Sequence, residues 1–145
     1  MITIKMDDRK VKRAMKQMQK QIRNPRQLMK MVGENEQEKA EKRIMTSKIS
    51  PDNRAWTPWA YTTAITRQRE GTASRGLLYQ TGNLLRSFYY KLNRKGVEIR
   101  NNAFYAKYLQ IGTADMPRRE FMGWGRDSMR TLPREAKKFF GKVWK

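Results

Sequence analysis

Cysteine and histidine are both absent from this sequence of 145 residues. Without cysteine, the chain can form no disulfide and offers no thiolate as a nucleophile or metal ligand. Without histidine, it lacks the side chain that proteins use most often as a general base and as a metal ligand. Long apolar runs are missing too, so neither a membrane span nor a signal peptide is predicted. These absences predict a protein without enzymatic activity or cofactor, which stays in the cytoplasm where it is made.

Carboxylates, lysines and tyrosines are the side chains left for catalysis, and there are only 13 carboxylates. Asp7 and Asp8 are adjacent and are better interpreted as caps of a helix N-terminus. Glu34, Glu36 and Glu38 are two residues apart, so on a helix they point in different directions and cannot converge on one metal ion. The serines have no histidine to activate them. No catalytic or metal-binding site is therefore predicted.

Positive charge dominates what the chain does contain, because 33 lysine and arginine residues give it a net charge of +20. Nine of these cations and no carboxylate fall within residues 9–30, and seven cations accompany only two carboxylates in residues 126–145. Such an excess is typical of proteins that bind nucleic acid. It also fits an acidic protein partner, and it keeps a subunit soluble before assembly. Charge alone leaves these three interpretations open.

Apolar spacing predicts two helices in the first third of the chain. Residues 2–4 alternate as in a short strand, and residues 7–23 carry an apolar stripe at helical spacing. A second helix is predicted over residues 25–48, because asparagine followed by proline favours a helix start and a later proline ends it. This helix is either solvated, with internal ion pairs, or packed on a neighbouring subunit. Residues 51–76 are predicted to be irregular, with one helical turn at about 60–67.

Alternating apolar residues predict a β-hairpin in the second half of the chain. Its strands cover residues 85–93 and 97–100, and residues 93–96 form the turn. A short helix over residues 103–111 follows and ends at Gly112. The side chains of this helix that are predicted to face the sheet are Tyr105, Tyr108 and Leu109.

A final helix is predicted over residues 131–143, with Thr131 as its N-cap, after a loop that contains an extended piece at residues 120–124. The whole chain, residues 1–145, is then one α+β domain in which a small antiparallel sheet is packed by N-terminal helices and a C-terminal helix. Its four regions are helical (1–50), irregular (51–76), sheet-forming (77–125) and again helical (126–145).

Five short patterns occur in a fixed order between Trp56 and Gly123. They are WTP (56–58), LLYQTGNLLRSF (77–88), GVEIRNN (96–102), YAKYLQIG (105–112) and PRREFMG (117–123). The series resembles the phage virion morphogenesis family, the tail-completion proteins of Mu-like tailed phages. Its characteristic elements are TGxLxxS entering a strand, YAxxxQxG, and PRxFLG before the C-terminal helix. Glu120 departs from the family's more frequent proline, and Met122 from its leucine. The resemblance covers the middle half of the chain and leaves out the basic N-terminal helix.

This resemblance implies a structural virion protein of a tailed bacteriophage. It would form a homo-oligomeric ring at the head–tail junction and act, without catalysis, in tail completion and head–tail joining. Implied partners are other copies of the chain and the neighbouring neck and tail proteins, with genome DNA in the channel as a further contact. The alternative is a basic nucleic-acid-binding protein that acts on DNA through its N-terminal and C-terminal helices.

Candidate contact residues come from the loops and from the first basic helix. Tryptophan, arginine and phenylalanine are the side chains that most often anchor protein interfaces, although Phe121 and Trp124 can equally fill the protein's own core. The candidates for protein contacts are Trp56, Trp59, Arg118, Arg119, Phe121 and Trp124. The candidates for facing DNA are Lys12, Arg13, Lys16, Lys20 and Arg23.

Overall fold

The computed structural model describes Arg13, Lys16, Lys20 and residues 26–94 and 96–141. Within these residues it contains five α-helices and one two-stranded antiparallel sheet, so the predicted α+β class is confirmed. The elements are, in chain order, α1 (Arg26–Lys42), α2 (Tyr61–Arg69), α3 (Asn83–Arg86), β1 (Phe88–Asn93), β2 (Gly96–Asn101), α4 (Ala106–Ile111) and α5 (Arg126–Gly141).

Helix α1 and the π-helical turn that continues it, Arg43–Ser47, confirm the helix predicted over residues 25–48. The helical path ends at Lys48, which has a left-handed φ of 53°. The Lys48 N–H donates to the carbonyl of Arg43 at 3.0 Å. This bond satisfies a terminal carbonyl before the chain reaches Pro51, where a helix could not continue.

One side of α1 packs against the protein's own sheet, and the opposite side is solvated. At Gly33 the approach is so close that a Cβ would come within 2.9 Å of the side chains of Tyr90 and Val97. On the solvated side, Lys42 and Glu38 form an exposed ion pair of 2.7 Å. The predicted internal ion pairs are therefore present, and the surface that α1 covers belongs to the same chain.

Strands β1 and β2 pair in register from Phe88 with Asn101 to Asn93 with Gly96. Burial alternates along β1 because Phe88 and the residues two and four positions later point to the α1 side. The predicted start of this strand at residue 85 is wrong by three residues. Gly82, with φ 78°, begins the helical turn α3 instead, and it accepts the N–H of Arg86 at 3.0 Å.

The core lies where α1, β1, α4 and the loop before α5 meet. Its three fully buried large side chains are Ile44, Leu84 and Phe121. The rings of Phe88 and Phe121 pack edge to face with their centroids 5.8 Å apart, a favourable aromatic arrangement. The loop before α5 is thus anchored at the centre of the molecule.

Helix α5 begins at Arg126, five residues before the predicted start, so the prediction of Thr131 as its N-cap is wrong. The Arg126 N–H donates to the carbonyl of Pro51 at 3.2 Å, and the Met129 N–H donates to the carbonyl of Gly125 at 3.0 Å. These two bonds satisfy backbone groups of the first turn, so α5 begins at Arg126 and not at Thr131. Pro133 then lies inside the helix on its exposed side, where the carbonyl that loses its donor remains open to water.

Residues 120–124, predicted to be extended, form a loop without a strand, because side chains rather than a neighbouring strand satisfy their backbone groups. The predicted strand at residues 2–4 and most of the helix at 7–23 lie outside the described residues. Of the DNA-facing candidates, Arg13, Lys16 and Lys20 are helical and exposed, and Lys12 and Arg23 lie outside the described residues. No helix in the described part of the chain is long and apolar enough to cross a bilayer.

Candidate protein-interaction site

Gln110 on α4 holds the loop that precedes α5. Its side-chain oxygen accepts the N–H groups of Phe121 and Met122, both at 3.1 Å. Its side-chain nitrogen donates to the carbonyl of Met122 at 2.6 Å. One amide therefore satisfies three backbone groups that have no strand partner. We call this arrangement the Gln110 clasp. Gln110 is the fixed glutamine of the YAxxxQxG pattern, but it was not among the predicted contact residues.

Replacing Gln110 by alanine should lower the free energy of unfolding by about 2–3 kcal/mol, because the part-buried backbone groups lose their partners. Urea denaturation followed by tryptophan fluorescence measures the change. Gln68→Ala, at an exposed position of α2, is the control and should unfold at the wild-type midpoint. Equal midpoints for the two variants would show that the Gln110 clasp adds no stability.

Trp56 and Arg119 tie the same loop to the segment after α1. The Trp56 indole nitrogen donates to the carbonyl of Glu120 at 2.9 Å. The Arg119 guanidinium donates through Nε to the carbonyl of Thr57 at 2.9 Å and through Nη2 to that of Pro58 at 3.0 Å. Both side chains are buried, and burial is the main cause that lowers the pKa of Arg119. These bonds join two loops about 60 residues apart in sequence and hold them as one surface.

Trp59 and Arg67 lie beside this junction and line a cleft of about 430 Å³. The Trp59 indole donates to the carbonyl of Leu77 at 3.0 Å, and the Arg67 guanidinium lies 4.8 Å from the Trp59 ring centroid. Arg119 and Asp115 line the same cleft. Its ionic groups therefore have both signs, and the positive charge of Arg67 also lowers the pKa of Arg119.

The six predicted protein-contact residues separate into internal and exposed groups. Trp56, Arg119 and Phe121 are buried against the protein's own residues, and Phe121 takes the core position that was one of its two predicted placements. Their hydrogen bonds and packing stabilise the protein's own loops. Trp59 is half-buried. Arg118, which pairs with Glu120, and Trp124, which is 53% exposed, remain accessible.

An apolar surface open to solvent runs along α4 and was not predicted. Phe104, Tyr108 and Ile111 are 84%, 45% and 72% exposed. Tyr108 and Ile111, three residues apart, lie on one side of α4, and Phe104 lies in the turn that precedes the helix. We call these three side chains the α4 apolar face. Tyr105 and Leu109 pack on the core as predicted, together with Ala106, but Tyr108, which was also predicted to face the sheet, points outward. Large apolar groups clustered at the surface are typical of protein-interaction sites.

The buried polar groups form bonds that explain them without catalysis. Glu36 is buried in α1 and accepts the Ser128 hydroxyl at 2.6 Å and the Lys39 ammonium at 2.7 Å. The bond from Ser128 joins α1 to α5, and the bond from Lys39 lies within α1. Among the described residues, no group of three or more acidic side chains is placed to hold a metal ion. The features that stand out are therefore the α4 apolar face and the loops that Gln110, Trp56 and Arg119 hold in place.

Comparison with known proteins identifies the family to which the chain is similar. The model of the phage virion morphogenesis family matches residues 6–134. The match extends the resemblance seen at residues 56–123 into the N-terminal region and α5. Neither the curated proteins nor the solved structures include a significant match. Because the family model covers far more than half of the sequence, the chain belongs to the phage virion morphogenesis family.

Proposed function

We propose that this protein forms a homo-oligomeric ring at the head–tail junction of a tailed bacteriophage, where it acts in tail completion and head–tail joining. As a member of its family it is a structural protein of virion morphogenesis. Three parts of this proposal go beyond membership of the family. They are the ring, its position in the particle and its contacts with neighbouring neck and tail proteins. The observation that carries them is the α4 apolar face.

The α4 apolar face supports self-association because it exposes two large side chains almost fully to water. Burying them between subunits would remove this apolar surface from water, which is favourable. A ring needs a second, different surface on the same subunit, because only a head-to-tail contact closes into a ring of more than two copies. Other exposed apolar side chains available for that surface are Met45, Tyr61, Trp124 and Met129.

The double variant Phe104→Ser/Ile111→Ser should weaken subunit association by about 100-fold or more, because burying each side chain contributes about 1.5–3 kcal/mol. Analytical ultracentrifugation over a concentration series measures this change. Gln68→Ser/Arg69→Ser changes two exposed positions of α2 and is the control, for which we expect wild-type association. Circular dichroism should show that both variants fold.

A monomeric wild-type protein at all concentrations would contradict self-association of the isolated chain. If the α4 variant instead assembles as well as the wild type, the subunit contact does not involve the α4 apolar face.

The position in the particle is tested separately by electron microscopy of phage that carries a labelled copy of the chain. We expect the label at the junction between head and tail. Label at another site of the particle would refute the proposed position. Absence of the protein from mature particles would show that it acts during assembly only and is not a virion component.

A further inference from the structure

The positive and the negative side chains of α5 lie on different sides of the helix. Its five cations are exposed to solvent: Arg126, Arg130, Arg134, Lys137 and Lys138. Its two carboxylates, Asp127 and Glu135, are 30% and 20% exposed and turn toward α1. The solvent side of this helix therefore carries charge of one sign only. We call the five exposed cations the α5 basic stripe.

Both carboxylates of α5 are already neutralised from inside the protein. Asp127 accepts two hydrogen bonds from the Arg43 guanidinium, each at 3.1 Å. Glu135 lies 4.0 Å from the ammonium of Lys39. Among the described carboxylates, none forms an ion pair with the α5 basic stripe. The five charges of the stripe are therefore exposed and have no carboxylate partner among the described residues.

Several other exposed cations of the protein pair with carboxylates, and those without a described ion pair, such as Arg26, Arg54 and Arg69, lie on separate segments. Lys42 pairs with Glu38 at 2.7 Å, and Arg100 pairs with Glu98 at 2.6 Å. Arg118 pairs with Glu120. A surface of scattered pairs has little net charge and is typical of solvated protein. The α5 basic stripe combines high charge density with the absence of described counter-ions, which favours a polyanion as its partner.

The spacing of the stripe suits a regular row of phosphates. Four of its members are four residues apart, which is about 6 Å along the helix axis, and the row extends about 18 Å in all. One strand of duplex DNA carries a phosphate about every 3.4 Å along its axis, so this length spans about five phosphates. Protein interfaces, by contrast, usually add aromatic or apolar anchors.

We propose that the α5 basic stripe binds the phosphate backbone of duplex DNA without reading its sequence. The inference concerns the individual chain and does not require the ring. Phosphate contacts contribute affinity and strong salt dependence but no base specificity.

The test is a titration of a short fluorescent DNA duplex with the full chain at several salt concentrations. In the α5 variant, glutamine replaces the five cations of the stripe: R126Q, R130Q, R134Q, K137Q and K138Q. In the control variant, glutamine replaces five exposed cations elsewhere: R26Q, R54Q, R69Q, K91Q and R94Q. Both variants have the same net charge, so a difference between them reports position and not total charge.

The α5 variant should bind at least about 10-fold more weakly at physiological salt, and its log–log salt slope should fall by about 4, because each phosphate contact adds about 0.9. The control variant should keep most of the wild-type slope. Equal losses in both variants would show that the attraction is diffuse and would overturn the proposal. Undiminished binding by the α5 variant would overturn it as well and would assign DNA to the N-terminal candidates.

Polyglutamate separates DNA from an acidic protein as the partner. At equal charge concentration it should displace the duplex only weakly, because its charges are not held in a rigid row. Equally effective displacement would identify the stripe as a surface for acidic proteins and would refute the DNA assignment. A wild-type chain that does not bind duplex at low salt would refute it too. None of these outcomes depends on ring formation, so they are separate from the test of the proposed function.

Discussion

Replacing Asp127 by asparagine should lower the free energy of unfolding by about 3–5 kcal/mol, because it leaves a buried cation without its counter-charge. The side chain of Arg43 is only 5% exposed. Its Nη2 donates to both carboxylate oxygens of Asp127, and its Nη1 donates to the carbonyl of Phe121 at 3.2 Å. Asp127 also accepts the N–H of Ser128 at 2.8 Å in the first turn of α5, where a negative charge stabilises the helix.

The matched control for this prediction is Glu38→Gln. It removes the same charge by the same chemical change, but from an ion pair on the surface of α1 in which both side chains are at least 60% exposed. Exposed ion pairs contribute little, so the unfolding midpoint should stay at the wild-type value. Chemical denaturation of both variants measures the difference.

A double-mutant cycle with Arg43→Met separates the ion pair from other effects of Asp127. The two single changes should interact strongly, because each one alone leaves an uncompensated polar or charged group. If their effects simply add, the Arg43–Asp127 contact does not account for the stability, and the loss at Asp127 would come from the start of α5.

Replacing Gly125 by alanine should lower the free energy of unfolding by about 3 kcal/mol or more, since the added methyl group has no space. A Cβ at this position would overlap the backbone carbonyl of Pro51, which is not a flexible neighbour. The chain can accept the methyl group only by separating the two segments. That movement would also break the bond from the Arg126 N–H to the Pro51 carbonyl, with which α5 begins.

Gly141→Ala, at the last residue of α5, is the control for the effect of adding a methyl group. No atom lies within 4 Å of a Cβ there, and alanine is a better helix former than glycine. The control should therefore be neutral or slightly stabilising, opposite in sign to Gly125→Ala. Thermal unfolding followed by circular dichroism measures both. Equal, small shifts would mean that Pro51 and Gly125 do not pack as closely as the fold requires.

Local patterns in the sequence were sufficient for the features that depend on near neighbours. The spacing of apolar residues and Pro51 predicted the helix that α1 and its π-helical turn form. Alternation predicted the hairpin of β1 and β2, and Gly112 marked the end of α4. The ordered motifs predicted the family, which the match over residues 6–134 confirms. For the helix, the hairpin and the end of α4, the signal lies within a few residues of the feature that it predicts.

What the sequence determined by itself is the class of the protein: an α+β chain of the phage virion morphogenesis family, strongly basic and without cysteine or histidine. The tertiary structure decided which residues of the motifs are internal. Trp56, Arg119 and Phe121 stabilise the core and its loops, while α4 and α5 present the apolar face and the basic stripe. The reason is physical: the contacts that set these orientations, such as Pro51 with Gly125 and Arg43 with Asp127, join distant residues. A local pattern contains no information about such contacts.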